Sequence, residues 1–316
     1  MSSLKCLYTS CVVLAVLLTA VVSTSAQVRV PRPSQKASVM QTIGVTDVTI
    51  TYSRPGVKGR KIWGDPLPEQ ANVQGEATLD NQNVRPKDAA IVPWGHVWRT
   101  GANEATTFEV TDDVLINGQK LAAGSYSLHT IPTKDEWTIV FNGTANQWGS
   151  FDYDPKKDTL RVKSKPQWGN ESTEWLQYTI DPVTDSSARV NIRWEKVTVP
   201  FTVEVPDVNS VTMTKLRATV AAAKPDDWRT PLQASNYALQ NATAADDEEG
   251  LGWLDRSIKV KTTFQNLSAK ARALYKAGKK QEALSLAEQA IQQGKADKVD
   301  TTNFEKTVAG WKSGTM

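Results

Sequence analysis

Short runs in which apolar and polar residues alternate occupy the chain from about residue 38 to residue 206. Such alternation places every second side chain on one buried face of a β-strand. Many short strands of this kind predict a mainly β, antiparallel domain, built as a sandwich or barrel-like structure. The positions that carry the pattern are Val48, Ile50 and Tyr52; Phe108 and Val110; Tyr126, Leu128 and Thr130; Trp137, Ile139 and Phe141; Leu160 and Val162; Leu176, Tyr178 and Ile180; Val190, Ile192 and Trp194; Val197, Val199, Phe201, Val203 and Val205.

Turn residues separate these runs. Asn117-Gly118 lies between two short apolar segments, and both residue types accept the positive φ of a type I′ hairpin turn. Asp181-Pro182 and Asp185-Ser186 are predicted to form turns between the later strands. The residues between Asp65 and Ile91 are polar and without periodicity, which predicts a surface loop.

After Pro206 the pattern changes to helical spacing with many alanines, so residues 207–316 are predicted to form an all-α domain. Ser210 is the predicted cap of a helix that runs to about Ala223, and Thr230-Pro231 is predicted to begin another. A last helix is expected from about Thr301 to Trp311.

This helical part also resembles itself at an offset of 33 residues. The offset aligns Ala238 with Ala271 and Gly250 with Ala283, and the second copy resembles a tetratricopeptide repeat more closely than the first. Small residues at close helix crossings are the physical basis of this likeness, and a plain helical bundle is the alternative. The repeats are expected to bind a protein partner through their concave face.

The first 26 residues have the features of a secretory signal peptide. Lys5 precedes an apolar stretch, small residues follow that stretch, and cleavage is predicted after Ala26. We therefore expect export to the periplasm or the extracellular space, a lead-in segment over residues 27–37, and no membrane span after cleavage; an uncleaved anchor is the alternative. Cys6 and Cys11 are the only cysteines, so the mature chain would have no disulfide and no cysteine chemistry.

Charge and motifs exclude several functions. The net charge of +3 over 316 residues does not suggest binding to nucleic acid. The chain has neither a phosphate loop nor a nucleophile elbow, and we expect no cofactor. His96 and His129 lack the spacing of metal ligands, and His129 is expected to be structural. No metal site is predicted, since the acidic segment Asp152–Asp158 lacks the glycine and glutamate of a calcium loop.

The β-domain resembles the bacterial domain-of-unknown-function family 2911 over about 150 residues. The most distinctive segment is Trp98-Arg99-Thr100-Gly101-Ala102-Asn103-Glu104-Ala105-Thr106. The resemblance implies export and a β-rich fold and implies no activity. One departure is the insertion between Trp63-Gly64 and Val92-Pro93, where the family has a short link. Further segments that carry the resemblance are Tyr52-Ser53-Arg54-Pro55, Lys58-Gly59-Arg60, Ala123-Gly124-Ser125-Tyr126-Ser127-Leu128 and Gln147-Trp148-Gly149.

Two groups of residues could form a ligand site in this domain. The first contains the charged and amide side chains around the distinctive segment, because Arg guanidinium groups suit carboxylate and phosphate groups. The second contains tryptophans beside Gly or Pro, which could stack on sugar rings. Trp137 and Trp194 alternate with aliphatic residues and are expected in the core. The candidates are Arg54, Lys58, Arg60, Arg99, Asn103 and Glu104 in the first group and Trp94, Trp98, Trp148 and Trp168 in the second.

The sequence leaves three functions open. The first is a non-enzymatic exported protein that binds a small polar, anionic or sugar-like ligand or an envelope component. The second is an extracytoplasmic hydrolase acting on carbohydrate, with Glu104 as its acid or base. The third is a structural interaction module with no small ligand. For the charged residues, the alternative to a ligand site is that Arg99 and Glu104 pair with each other or brace loop carbonyls.

Overall fold

The computed structural model describes residues 30–67, 89–241 and 243–315. Within these residues an antiparallel β-domain is followed by six helices, which confirms the predicted fold class. The predicted signal peptide and most of the insertion lie outside the described residues. The strands are β1 (Gln35–Ile43), β2 (Thr46–Arg54), β3 (Trp63–Gly64), β4 (Val92–Pro93), β5 (Thr106–Val110), β6 (Val114–Ile116), β7 (Gln119–Leu121), β8 (Gly124–Ile131), β9 (Trp137–Asn142), β10 (Asp158–Ser164), β11 (Gln167–Thr184) and β12 (Ser187–Glu204).

Two sheets pack face to face around one core. The larger has the order β1-β2-β5-β8-β9-β10 and the smaller the order β11-β12-β6-β7, and every pairing within them is antiparallel. Alternate side chains of β2 and β5 point into the core, where Phe108, Phe141 and Phe201 pack edge to face or tilted. β3 and β4 form a short parallel pair at the two ends of the insertion.

The structure departs from the sequence pattern in three places. β1 begins at Gln35, inside the predicted lead-in segment. Asp181-Pro182 lies within β11 and is not a turn, since Asp181 pairs with Arg189 across the hairpin. The runs around Val190 and Val199 belong to one strand, β12, in which Glu195 has a φ of 53° where the register of pairing shifts.

The helices are α1 (Val208–Ala222), α2 (Arg229–Asn241), α3 (Ala244–Val260), α4 (Phe264–Lys276), α5 (Lys280–Ala296) and α6 (Thr302–Ser313). Asp207 caps α1 by accepting the Ser210 N–H, so the predicted cap at Ser210 is wrong. Asp227 accepts the N–H groups of Arg229 and Thr230, and α2 therefore begins before the predicted Thr230-Pro231. A carboxylate accepts these N–H bonds more strongly than a hydroxyl does.

Helices α2 with α3 and α4 with α5 form two successive antiparallel hairpins. Small residues are buried where the helices cross: Ala238, Ala271, Ala283, Ala287 and Ala290 are inaccessible to solvent. These include Ala238, Ala271 and Ala283, which are three of the four positions that the 33-residue offset aligned. The helical hairpins are therefore present, while their membership in the tetratricopeptide class stays a prediction.

Helix α1 joins the hairpins to the β-domain. Val208 packs against the sheet core, and Lys215 donates hydrogen bonds to the backbone carbonyl of Val45 and to the carboxylate of Asp112, 2.7 Å away. Over the described ranges, no helix is long and apolar enough to cross a membrane.

Candidate functional site

The distinctive segment forms a tight loop between the β4 region and β5. Thr100 and Asn103 have φ values of 49° and 60°, which bend the chain sharply. The Thr100 carbonyl accepts hydrogen bonds from the hydroxyls of Thr106 and Tyr178, and a Cβ at Gly101 would meet the Thr106 hydroxyl at 2.9 Å. The loop is thus packed tightly against the sheet below it.

A second loop, residues 143–150, packs beside the first. The Ala105 N–H donates to the Gln147 carbonyl, the Gly149 N–H donates to the Asn103 carbonyl, and Glu104 forms an isolated β-bridge with Trp148. Gly149 has a φ of 65° and would carry a Cβ only 3.0 Å from the Phe151 ring, so this turn requires glycine. These backbone contacts place Trp148 beside Glu104.

A buried polar network joins the second loop to strand β8. The His129 ring lies between the Ser127 hydroxyl at 3.1 Å from Nε2 and the Ser150 hydroxyl at 3.2 Å from Nδ1. Gln147 donates to Ser127 and to the Thr144 carbonyl, and the His129 ring packs on Tyr153. His129 is inaccessible to solvent, and its contacts hold the 143–150 loop on strand β8.

The first of two adjoining cavities has a volume of about 250 Å³ and carries positive charge. Among the described residues that line it, two guanidinium groups are present and no carboxylate is. The lining side chains with hydrogen-bonding or aromatic groups are Ser34, Arg60, Trp98, Arg99, Asn103, Trp148 and Trp194. We call this space the arginine cavity.

The second cavity, of about 420 Å³, shares Trp148 with the first and has the opposite charge balance. Its described lining includes the carboxylates of Glu104 and Glu109 and the ammonium of Lys36. Oε1 of the largely buried Gln147 and Oε2 of Glu104 have no hydrogen-bond partner among the described residues. We call this space the glutamate cavity.

The segment that precedes β1 crosses the boundary between the cavities. Arg32 Nη1 is 2.6 Å from Glu104 Oε1, and its guanidinium carbon lies 5.8 Å from the centre of the Trp148 ring. Two residues on, the Ser34 carbonyl accepts a hydrogen bond from Asn103 Nδ2 at 3.1 Å. The segment is therefore attached to both parts of the site.

Arg32 also contributes to lowering the pKa of the Glu104 carboxyl. Burial alone would raise the pKa of the Glu104 carboxyl, but the Arg32 hydrogen bond, a backbone hydrogen bond and the charges of Arg32 and Lys36 outweigh it. The net result is a pKa below the usual value for glutamate, so Glu104 is a carboxylate at neutral pH.

The structure brings together six of the ten candidate residues: Arg60, Trp98, Arg99, Asn103, Glu104 and Trp148 line one or both cavities. Trp98 was predicted to offer its ring to a ligand from a loop, but it is buried and its indole N–H donates to the Gly101 carbonyl. It therefore contributes only to the wall of the cavity. Arg99 donates to the Asn103 carbonyl at 2.7 Å, which is the loop-bracing role considered above. Glu104 is ion-paired with Arg32.

The other four candidates lie elsewhere. Arg54 donates to the Leu176 carbonyl, and Lys58 lies over the Trp175 ring. Trp94 and Trp168 pack perpendicular to each other with ring centres 6.3 Å apart. Trp94 also stacks on Trp63, which packs in turn against the core residues Trp137 and Trp194. None of the four lines either cavity.

Sequence reasoning missed several residues of the site, among them Arg32, Ser34, Lys36, Gln147 and Glu109. The first three belong to the predicted lead-in segment, whose lack of periodicity gave no sign of a role. Gln147 precedes Trp148 in a segment that carried the family resemblance, and that signal could have drawn attention to it.

The acidic segment after the second loop is used internally. Asp154 caps a short 3₁₀ turn, and Asp158 accepts hydrogen bonds from Tyr153, Arg161 and Asn142. Burial first, and the Asp158 hydrogen bond second, raise the pKa of Tyr153 far above its usual value. In the described part of the chain, no group of three or more His, Cys, Asp or Glu side chains is placed to hold a metal ion.

These features define a class: a two-sheet β-domain with a cleft formed by two glycine-containing loops, joined to helical hairpins. A family model described as "Protein of unknown function (DUF2911)" matches residues 34–203. The chain belongs to this family. No curated protein and no solved structure shows significant similarity to it.

Proposed function

We propose that the protein is an exported, non-enzymatic binding protein whose β-domain binds a small acidic sugar or a similar polar anion in the arginine cavity. One observation carries the proposal. The half-exposed Trp148 ring and the guanidinium groups of Arg60 and Arg99 line the same open cavity. An exposed indole can pack against the apolar face of a sugar ring, and guanidinium groups favour a carboxylate.

The charge distribution supports an anionic ligand. Arg60 and Arg99 are the only ionisable side chains among the described residues lining the arginine cavity. The Asn103 amide and the hydroxyl of Ser34 belong to the same wall and can bind hydroxyl groups. The two guanidinium groups attract a carboxylate electrostatically, whereas a neutral sugar carries no charge for them to attract.

The hydrolase alternative receives less support. A general acid needs a raised pKa, whereas the pKa of Glu104 is lowered. Glu109 is the other carboxylate among the described residues that line the glutamate cavity, and a glycosidase pair would need its two carboxyl groups within about 10 Å of each other. The lowered pKa of Glu104 is therefore the observation that weighs against a hydrolase.

The proposal is tested with N-acetylmuramic acid, which carries a carboxylate, and N-acetylglucosamine, a neutral sugar that lacks it. Titrations are followed by NMR at the Trp148 indole N–H, assigned from the Trp148→Phe variant. We expect the acid to bind at least about tenfold more tightly, and Arg60→Gln to remove most of this difference. Equal binding of both sugars, or binding unaffected by Arg60→Gln, would contradict the proposal.

A matched pair of variants separates the binding surface from general stability. Trp148 and Trp168 are 52% and 49% exposed, and only Trp148 lines the cavities. Trp148→Ala should abolish measurable binding of N-acetylmuramic acid, and Trp168→Ala should leave it unchanged. Melting temperatures of both variants serve as the control, and equal losses of binding would refute the assignment of Trp148.

The helical hairpins supply a second binding surface in this proposal. Helices α2, α3 and α4 enclose a mainly apolar groove of about 620 Å³, with Leu239, Leu251 and Phe264 among its walls. We propose that it binds a segment of a protein partner. A photoreactive residue at Ala269, in the groove, should crosslink to that partner in cells, whereas one at Glu288, outside it, should not.

A further inference from the structure

The contact of Arg32 with Glu104 and Trp148 is that of a guanidinium group bound to a carboxylate and an aromatic face. We call Glu104 and Trp148 together the cation shelf. The ion pair is 2.6 Å long, and the guanidinium lies over the indole at 5.8 Å, within the range of a cation–π interaction. The protein's own chain therefore shows which chemistry the shelf binds.

We infer that the cation shelf is a binding subsite for the basic group of the ligand, and that Arg32 occupies this subsite in the free protein and is displaced when the ligand binds. The inference rests on the proposed function for the acidic half of the ligand. The ligand class is then a zwitterion: a sugar or similar small molecule with a carboxylate for the arginine cavity and an amine for the shelf.

The position of the shelf supports this assignment. Trp148 lines both cavities, so a molecule on its ring can extend into either one. On one side the described charged residues are Arg60 and Arg99, and on the other they are Lys36, Glu104 and Glu109. The site thus separates positive charge from negative charge across one indole ring.

The hydrogen bonding of the shelf leaves capacity for a ligand. Arg32 donates a hydrogen bond to Oε1 of Glu104, while Oε2 is buried and has no partner within the described ranges. Oε1 of the neighbouring Gln147 likewise has no partner there. An ammonium group has three N–H donors, so an amine in the place of Arg32 can keep the existing bond and satisfy a further acceptor.

Arg32 is held weakly enough to be displaced. The side chains of Arg32 and Glu104 are 42% and 39% exposed, and ion pairs with this exposure contribute little in water. Competition by Arg32 should therefore weaken ligand binding by no more than about fivefold.

Four sugars test the inference, because they combine the two charges independently. Muramic acid carries both the carboxylate and the amine, N-acetylmuramic acid only the carboxylate, glucosamine only the amine, and N-acetylglucosamine neither. We expect muramic acid to bind most tightly of the four. Glu104→Gln should weaken the binding of muramic acid and of glucosamine about fivefold, and should change the binding of N-acetylmuramic acid less than twofold.

Removal of Arg32 has an effect whose sign is diagnostic. Arg32→Ala should strengthen the binding of muramic acid and glucosamine by about two- to fivefold, because a competitor is lost. Lys58→Ala is the matched control, since it removes a positive charge from a residue that lies over the Trp175 ring and lines neither cavity. It should change the binding of these sugars less than twofold.

The outcomes separate the two proposals. If Arg32→Ala weakens or does not change glucosamine binding, or if Glu104→Gln has no effect on it, the cation shelf is refuted, whatever the behaviour of N-acetylmuramic acid. If glucosamine responds as expected but N-acetylmuramic acid fails to bind, the shelf stands and the acidic half of the proposed function fails. Unchanged melting temperatures confirm that the variants are folded.

Discussion

The Asn117 side chain connects three parts of the β-domain, and its replacement should be costly for an exposed residue. Its Oδ1 accepts from the Thr202 N–H at 2.8 Å and from the Thr202 hydroxyl at 3.1 Å, and its Nδ2 donates to the Lys163 carbonyl at 3.0 Å. Its φ is 47°, in the left-handed region. Asparagine thus adopts the left-handed conformation that the turn between β6 and β7 requires, and its side chain links that turn to β12 and β10.

The magnitude follows from these contacts. Three hydrogen bonds at about 0.5–1 kcal/mol each amount to about 1.5–3 kcal/mol. Alanine also adds left-handed strain of about 1 kcal/mol. Asn117→Ala should therefore lower the free energy of unfolding by about 2.5–4 kcal/mol, and Asn117→Gly by about 1 kcal/mol less. Asn117→Asp keeps the acceptor and loses one donor, so it should cost about 1 kcal/mol.

Urea unfolding of the three variants, followed by tryptophan fluorescence, measures these differences. Most of the tryptophans lie in the β-domain, so the signal reports on the part of the protein that contains the turn. The reasoning is refuted if Asn117→Ala costs less than about 0.5 kcal/mol, or if the Ala and Gly variants are equally stable.

Two further predictions concern the helical part. Burial raises the pKa of the Asp112 carboxyl, but hydrogen bonds from Lys215 and neighbouring hydroxyls lower it overall. The ionised Asp112 therefore stabilises the fold at neutral pH, and this stabilisation is lost as the pH falls through the lowered pKa. Asp112→Asn should therefore flatten the dependence of the unfolding free energy on pH in the acid range, by at most about 1 kcal/mol. Urea unfolding at each pH measures this dependence, and an unchanged profile would contradict the prediction. A Cβ at Gly294 would clash with the Thr301 side chain, and one at Gly252 meets nothing within 4 Å. By thermal unfolding, Gly294→Ala should destabilise the protein by about 1–3 kcal/mol, whereas Gly252→Ala should stabilise it by about 0.5–1 kcal/mol; changes of the same sign would refute the packing argument.

The site illustrates how far the sequence could be interpreted. The Trp98–Thr106 segment was predicted to be a loop that carries site residues, because its glycine and its polar residues are local features, and the structure places it as a loop beside both cavities. The sequence could not show that Trp98 turns inward, since an indole beside a loop can face either way until the second sheet is in place. It also gave no sign of Arg32, whose role depends on a contact with Glu104, 72 residues away.

Sequence alone determined the order and type of the elements. Period-two alternation predicts a strand, Asn117-Gly118 predicts a hairpin turn, and alanine-rich helical spacing predicts helices, because each depends on interactions between near neighbours along the chain. Only the tertiary structure decided that β12 is one long strand and that Asn117 reaches Thr202. It likewise decided that Arg60, Arg99 and Trp148 surround one cavity. These features require the approach of segments far apart in sequence, which two packed sheets bring together and a one-dimensional pattern does not specify.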